Sequence, residues 1–205
     1  MVTVPLPDAQ LMTFNEFIAW KPDSSCYELH NGTPIKMQPR GDHEEVISFL
    51  NAVLILEVQR LGRPFWLPKQ ALVKLPEEDT AYLPDVILIN REALGEEPLW
   101  QEASTVTRGG SVPLVVEVVS TNWGTDYGKK LVDYESLGIS EYWIVDYLGL
   151  GGRRYIGNPK RPTLSIYQLV DDEYQVSQFR DNERIRSALF PELTLTAEAI
   201  FRAGV

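Results

Sequence analysis

Glu117 stands inside Leu114-Val115-Val116-Glu117-Val118-Val119, a run whose apolar neighbours predict a strand covered on both faces. An ionised carboxylate in that setting costs several kcal/mol, on the order of the penalty for any buried lone ion, unless it meets a cation, a metal or a proton. A buried Arg or Lys partner and a chemical site satisfy that need equally well. Asp85 adds a second carboxylate: Pro84 fixes the approach, Asp85 opens a strand, and Val86-Ile87-Leu88-Ile89 continues into the core. Taken alone, such an Asp caps a turn. Strands consecutive in sequence tend to be neighbours, however, so Asp85 and Glu117 can converge at adjacent positions. Two hard carboxylates with open positions suit Mg²⁺ or Mn²⁺, with water completing the octahedron.

The segment after the Glu117 strand offers Asp126, Lys129, Lys130 and Asp133. Lys130 lies four residues after Asp126 and beside the Leu131 and Leu137 stripe, so it can lean toward the sheet, whereas Lys129 pairs with Asp133 facing solvent. The alternative for either lysine is an ordinary surface ion pair. His43 begins the core-facing stripe of an earlier helix. It either borders the site or bonds a backbone carbonyl. Glu45 and Glu28 are weaker candidates, Glu45 as an extra first-helix carboxylate and Glu28 as a cross-hairpin pairing residue.

The positioning elements are legible around these residues. Thr13 and Glu16 have capping-box spacing ahead of a short helix ending at Trp20. Tyr27–His30 and Thr33–Met37 flank Asn31-Gly32 as a β-hairpin. From Asp42, read as the N-cap, helical periodicity runs to Gly62. Pro64–Leu75 and Tyr82–Asn90 read as strands, and an irregular connection over 91–112 leads to the Glu117 strand. Asp126–Leu137 reads as one helix, Glu141–Tyr147 as a buried strand, and 164–170 with 173–179 as a second hairpin around Asp171-Asp172. The order from residue 42 is helix, strand, strand, strand, helix, strand. This specifies an α/β chain with a mixed central sheet and hairpins at both ends. One domain over 1–205 is expected: helix and hairpin over 1–41, core over 42–147, hairpin extension over 148–205.

The ordered set of motifs resembles a known family. Pro84-Asp85 followed by Glu117-Val118-Val119 looks like the PD-(D/E)XK nuclease signature with its lysine displaced. More closely, Tyr27-Glu28-Leu29-His30-Asn31-Gly32, His43, Leu83-Pro84-Asp85-Val86, Leu114–Ser120, Asp126 with Lys130 and Tyr134, and Gly138–Asp146 resemble the Uma-two restriction endonuclease family of that superfamily. The resemblance implies a restriction-endonuclease-like core and Mg²⁺- or Mn²⁺-dependent hydrolysis of phosphodiester bonds, with DNA as the nucleic-acid partner. It makes Asp85 and Glu117 metal ligands, with the Val118 carbonyl as third. Val119 stands where the short motif places its lysine, and the family pattern moves that role to the following helix, to Lys130.

Composition constrains the reading. The 205 residues hold 19 Lys and Arg against 29 Asp and Glu, a net charge of −10, which disfavours a general cationic nucleic-acid coat. The best local basic cluster is Arg153-Arg154 with Lys160-Arg161. Trp123, in the loop between Glu117 and Lys130, is placed to cover the site. One cysteine and two histidines cannot build a usual zinc cluster. The first eleven residues lack a cationic lead and no apolar run spans a bilayer of ~20 residues, so a cytoplasmic chain without membrane contact is expected. Cutting both strands of a duplex calls for two sites, hence the expectation of a homodimer. Two other functions fit the same residues: a nuclease-fold binding or assembly module, and a hydrolase of small phosphoesters.

Overall fold

A computed structural model of the chain describes residues 4–5, 11–22, 26–38 and 40–205. In chain order the elements are β1 (Val4–Pro5), α1 (Phe14–Trp20), β2 (Cys26–His30), β3 (Thr33–Met37), α2 (Gly41–Leu61), β4 (Phe65–Trp66), β5 (Leu72–Lys74), β6 (Ala81–Tyr82) and β7 (Val86–Asn90). They continue with α3 (Trp100–Ala103), β8 (Thr105–Val106), β9 (Leu114–Val118), α4 (Trp123–Asp126), α5 (Lys129–Leu137), β10 (Glu141–Asp146), α6 (Arg153–Ile156), β11 (Thr163–Val170), β12 (Glu173–Phe179) and α7 (Ala197–Phe201).

The strands form two mixed sheets rather than one. The first has the order β1-β3-β2-β6-β5-β8 and the second β12-β11-β10-β9-β7-β4. In the second, β9 runs antiparallel to β7 and parallel to β10, so the Glu117 strand is central and every one of its residues is buried. The period of two divides its side chains between two cores. Leu114, Val116 and Val118 join Val46, Leu50 and Leu54 of α2 and Ile200 of α7 on one face. Val115 and Val119 face the other way, into a core shared with Val73 and Tyr82 of the first sheet and Tyr134 of α5. Glu117 therefore faces the space between the sheets. The same alternation along β7 puts Ile87 and Ile89 in that space, and Asp85 precedes them in phase.

Local chemistry explains most element ends. Thr13 and Glu16 complete the capping box of α1. Gly62 and Gly138 end α2 and α5 in the left-handed conformation, which costs glycine nothing sterically. Several expected boundaries shift. Arg40, not Asp42, is the N-cap of α2, and Asp42 instead occupies its acidic first turn. The run 64–75 divides into β4 and β5, which belong to different sheets, and Leu83-Pro84-Asp85 separates β6 from β7. The expected helix over 126–137 is broken at Gly128, where a Cβ would lie 2.6 Å from the Gly124 carbonyl oxygen.

Candidate active site

The chain crosses from the first sheet to the second at Leu83-Pro84-Asp85, and this crossing delivers Asp85 to the end of β9. Asp85 Oδ2 accepts from the Val118 backbone N–H at 2.7 Å. His43, buried in the first turn of α2, meets the same place from the opposite side. Its Nε2 donates to the Val118 carbonyl oxygen at 2.8 Å and lies 3.3 Å from Asp85 Oδ2. The carbonyl-bound histidine and the site-bordering histidine are thus one arrangement. Burial lowers the His43 pKa, but the hydrogen bond and charge of Asp85 outweigh it and leave the pKa raised.

Glu117 and Lys130 form the interior of the cluster. Lys130 Nζ is 3.0 Å from Glu117 Oε1, and the Tyr134 hydroxyl donates to that same oxygen at 3.0 Å. Lys130 and Tyr134 are one helical turn apart on α5, which explains how both reach Glu117. Lys130 also lies 2.8 Å from Glu28 Oε1 and 3.9 Å from Asp126 Oδ1. Lys129, by contrast, pairs with Asp133 at 2.9 Å on the half-exposed side of the helix.

The electrostatics of the cluster are unbalanced. Glu28, Asp85, Glu117, Asp126 and Lys130 line one narrow cleft, so among the described residues four carboxylates share it with one ammonium, and three of them lie within 4 Å of that ammonium. Burial pushes the Glu117 pKa well up, and Asp85, Asp126 and Glu28 add repulsion that Lys130 only partly offsets. Asp126 is driven to about 7, chiefly by burial, against the attraction of Lys130 and with further repulsion from Asp85. Glu28 goes the other way. Burial raises it, but Lys130 and His30 outweigh the burial and hold it at about 2. For Lys130, burial lowers the pKa while Glu117, Glu28 and Asp126 raise it, with the net direction well up. The ammonium is therefore charged, and its counter-charge is in excess.

That excess is the donor chemistry a divalent cation requires. Lys130 and Tyr134 both engage Oε1 of Glu117, while Val118 N–H and His43 both engage Oδ2 of Asp85, so neither pair uses the second oxygen of its carboxylate. The Val118 carbonyl gives one lone pair to His43 and keeps another. Among the described residues, no three His, Cys, Asp or Glu side chains are grouped to hold a metal by themselves. Two carboxylates and a carbonyl leave the other positions to water, the partial shell that Mg²⁺ tolerates.

Other expected residues lie elsewhere. Glu45 is exposed on α2 and is absent from the cleft lining, because it falls on the solvent side of the stripe that buries His43 and Val46. Trp123 does not cover the cleft. Asn122 and Thr125 line it instead, and Trp123 packs beside Tyr155 under Lys160 Nζ, 5.9 Å above its ring. The residue that sequence reasoning underrated is Glu28. Its place in the hairpin suggests a cross-strand pair, yet its Cα partner on β3 is Ile35 and its charge partner is Lys130, 102 residues away. Arg153, Arg154, Lys160 and Arg161 are all exposed, with Arg154 lying over Tyr155 and Arg161 paired to Asp181 at 3.6 Å.

Residues 14–198 match the family described as "Uma2: Putative restriction endonuclease". The chain belongs to that family. Among solved structures it is similar to a putative nuclease belonging to DUF820 from Anabaena variabilis, at 17% identity and a TM-score of 0.71, over 95% of this chain and 99% of that one. At that identity the likeness establishes a shared fold. A comparison with curated proteins finds no match. Membership in the family supports a nuclease function, and among the described residues no helix is long and apolar enough to cross a membrane.

Proposed function

We propose that the chain is a divalent-metal-dependent endonuclease of the PD-(D/E)XK type that hydrolyses phosphodiester bonds of DNA. The observation that carries this reading is the buried surplus of carboxylates around Lys130, with Asp85, just ahead of β7, and Glu117 of the neighbouring β9 lining one cleft. Asp85, Glu117 and the Val118 carbonyl would hold Mg²⁺ or Mn²⁺, which when bound would polarise the scissile phosphate and acidify a water.

The protein's own groups have separate tasks. His43 orients the Val118 carbonyl and Asp85 through its single Nε2 contact with both. Tyr134 fixes the rotamer of Glu117. Lys130 holds a charged ammonium beside Glu117 in a site poor in water, where it offsets negative charge developing on the phosphate and orients the attacking water. Asp126 lines the same cleft as an accessory carboxylate.

Substrate must approach a protein of net charge −10, so local charge matters more than the total. From Tyr147 to Val170 the sequence carries Arg153, Arg154, Lys160 and Arg161 and no Asp or Glu. This segment packs against Trp123, three residues before Asp126, and is the surface best suited to grip a phosphate backbone. A homodimer would supply the second site that duplex cleavage needs. The test is plasmid nicking with Mg²⁺ or Mn²⁺: wild type cuts, while Asp85→Ala and Lys130→Ala do not. Equal cutting by all three would remove the proposal.

A further inference from the structure

The N-terminal hairpin contributes the most thoroughly bonded carboxylate of the cleft. Glu28 is 1% exposed on β2. Its Oε1 accepts from Lys130 Nζ at 2.8 Å and from the Leu83 backbone N–H at 3.1 Å, while Oε2 lies 2.7 Å from His30 Nε2. These contacts link three separate pieces: α5, the crossing segment two residues before Asp85, and the hairpin itself. We propose that Glu28 is a positioning residue that clamps the Lys130 ammonium against Glu117 and anchors the Leu83-Pro84-Asp85 crossing. This inference rests on the nuclease reading of the cleft.

The physical need for such a clamp follows from the lysine. Its side chain is long and flexible and carries three donors without fixed direction. Without Glu28 the ammonium would keep only Glu117 at 3.0 Å and Asp126, from its own helical segment, at 3.9 Å. Glu28 supplies a counter-charge from the other sheet, and it holds the shortest of the three contacts. His30 and Leu83 occupy both oxygens of Glu28 in turn, so the clamp is itself held. The hairpin thereby becomes part of the site even though it lies outside the helix, strand, strand, strand, helix, strand core.

Glu28→Gln tests this, because it keeps the size and a carbonyl acceptor for Leu83 while removing the charge. With a labelled oligonucleotide, kcat should fall about 100-fold, the scale of a 1 Å misplacement, while KM stays within about twofold. A second readout does not depend on hydrolysis: the ¹⁵N-detected ammonium signal of Lys130 in metal-free protein, which should be resolved in wild type and broadened in Glu28→Gln. Glu28→Asp, which keeps the charge one methylene short, should recover part of kcat and of the signal, and it serves if Glu28→Gln does not fold. A lower melting temperature with kcat and the ammonium signal unchanged would reduce Glu28 to a structural role and overturn the proposal. Should wild type cut no DNA, the nuclease reading fails, while the ammonium signal still decides whether Glu28 holds Lys130.

Discussion

Asp126→Asn should make the metal-free protein more stable, by an amount that depends on pH. Asp126 is 8% exposed and its pKa is raised from 3.8 to about 7, first by burial, then by Asp85 and Glu28 against the opposing pull of Lys130. An acid whose folded pKa lies above its unfolded value binds more protons when folded. Stability is therefore lost as pH rises from about 4 to about 7 and stays level above that window. At about 1.4 kcal/mol per pH unit, the raised pKa costs about 4 kcal/mol at pH 8, where Asp126 is ionised in both states, and about 2 kcal/mol at pH 5, where folding must protonate it. Asn carries no charge and escapes the penalty. Urea unfolding in EDTA at both pH values measures it: the variant should exceed wild type by more at pH 8 than at pH 5, with unchanged m-values. Equal stability at both pH values, or a variant weaker at pH 8, would refute the claim that the carboxylates of this cleft are in surplus.

The same imbalance gives three more expectations. Lys130→Met removes the one ammonium that lines the cleft among the described residues and should abolish cleavage while costing about 3–5 kcal/mol at pH 8, less at pH 5 where the carboxylates accept protons; thermal unfolding at both pH values checks it. Mg²⁺ at a hundredfold excess over its Kd should stabilise wild type by about 2.7 kcal/mol and Asp85→Asn by far less, as read by calorimetric unfolding. Gly128→Ala places a Cβ 2.6 Å from the Gly124 carbonyl oxygen, so it should destabilise by about 1–3 kcal/mol and depress cleavage by shifting Lys130 relative to Asp126; circular dichroism melts with a nicking assay report both.

The parts of the fold legible in sequence are those fixed by local chemistry. Asn31-Gly32 and Asp171-Asp172 adopt positive φ at both turn positions, so both hairpins could be read from dipeptides. The runs at β9 and β10 are buried throughout because both faces are covered. The separation of the first sheet as a unit of its own was not legible, because its assembly depends on brief long-range pairings such as Leu29 with Ala81 and Leu72 with Thr105. Nor does helical periodicity mark α7, five residues that pack on α2 beside Gly204. Within the site, alternation along β9 puts Glu117 on the Val115 and Val119 face, and helix phase turns Lys130 inward and Lys129 out. The sequence could not reveal the Glu28 contact, since nothing local ties a hairpin carboxylate to a lysine two sheets' worth of chain later. Trp123 was misplaced for the same reason: its ring follows the Gly152–Tyr155 segment, which distant packing brings in.

The most direct measurement is a crystal structure with Mn²⁺, using its anomalous signal. One peak is expected between the Asp85 and Glu117 carboxylates within reach of the Val118 carbonyl, and its loss in Glu117→Gln. Protein crystallised at saturating Mn²⁺ with no peak there, and with Lys130 still 3.0 Å from Glu117 Oε1, would contradict it.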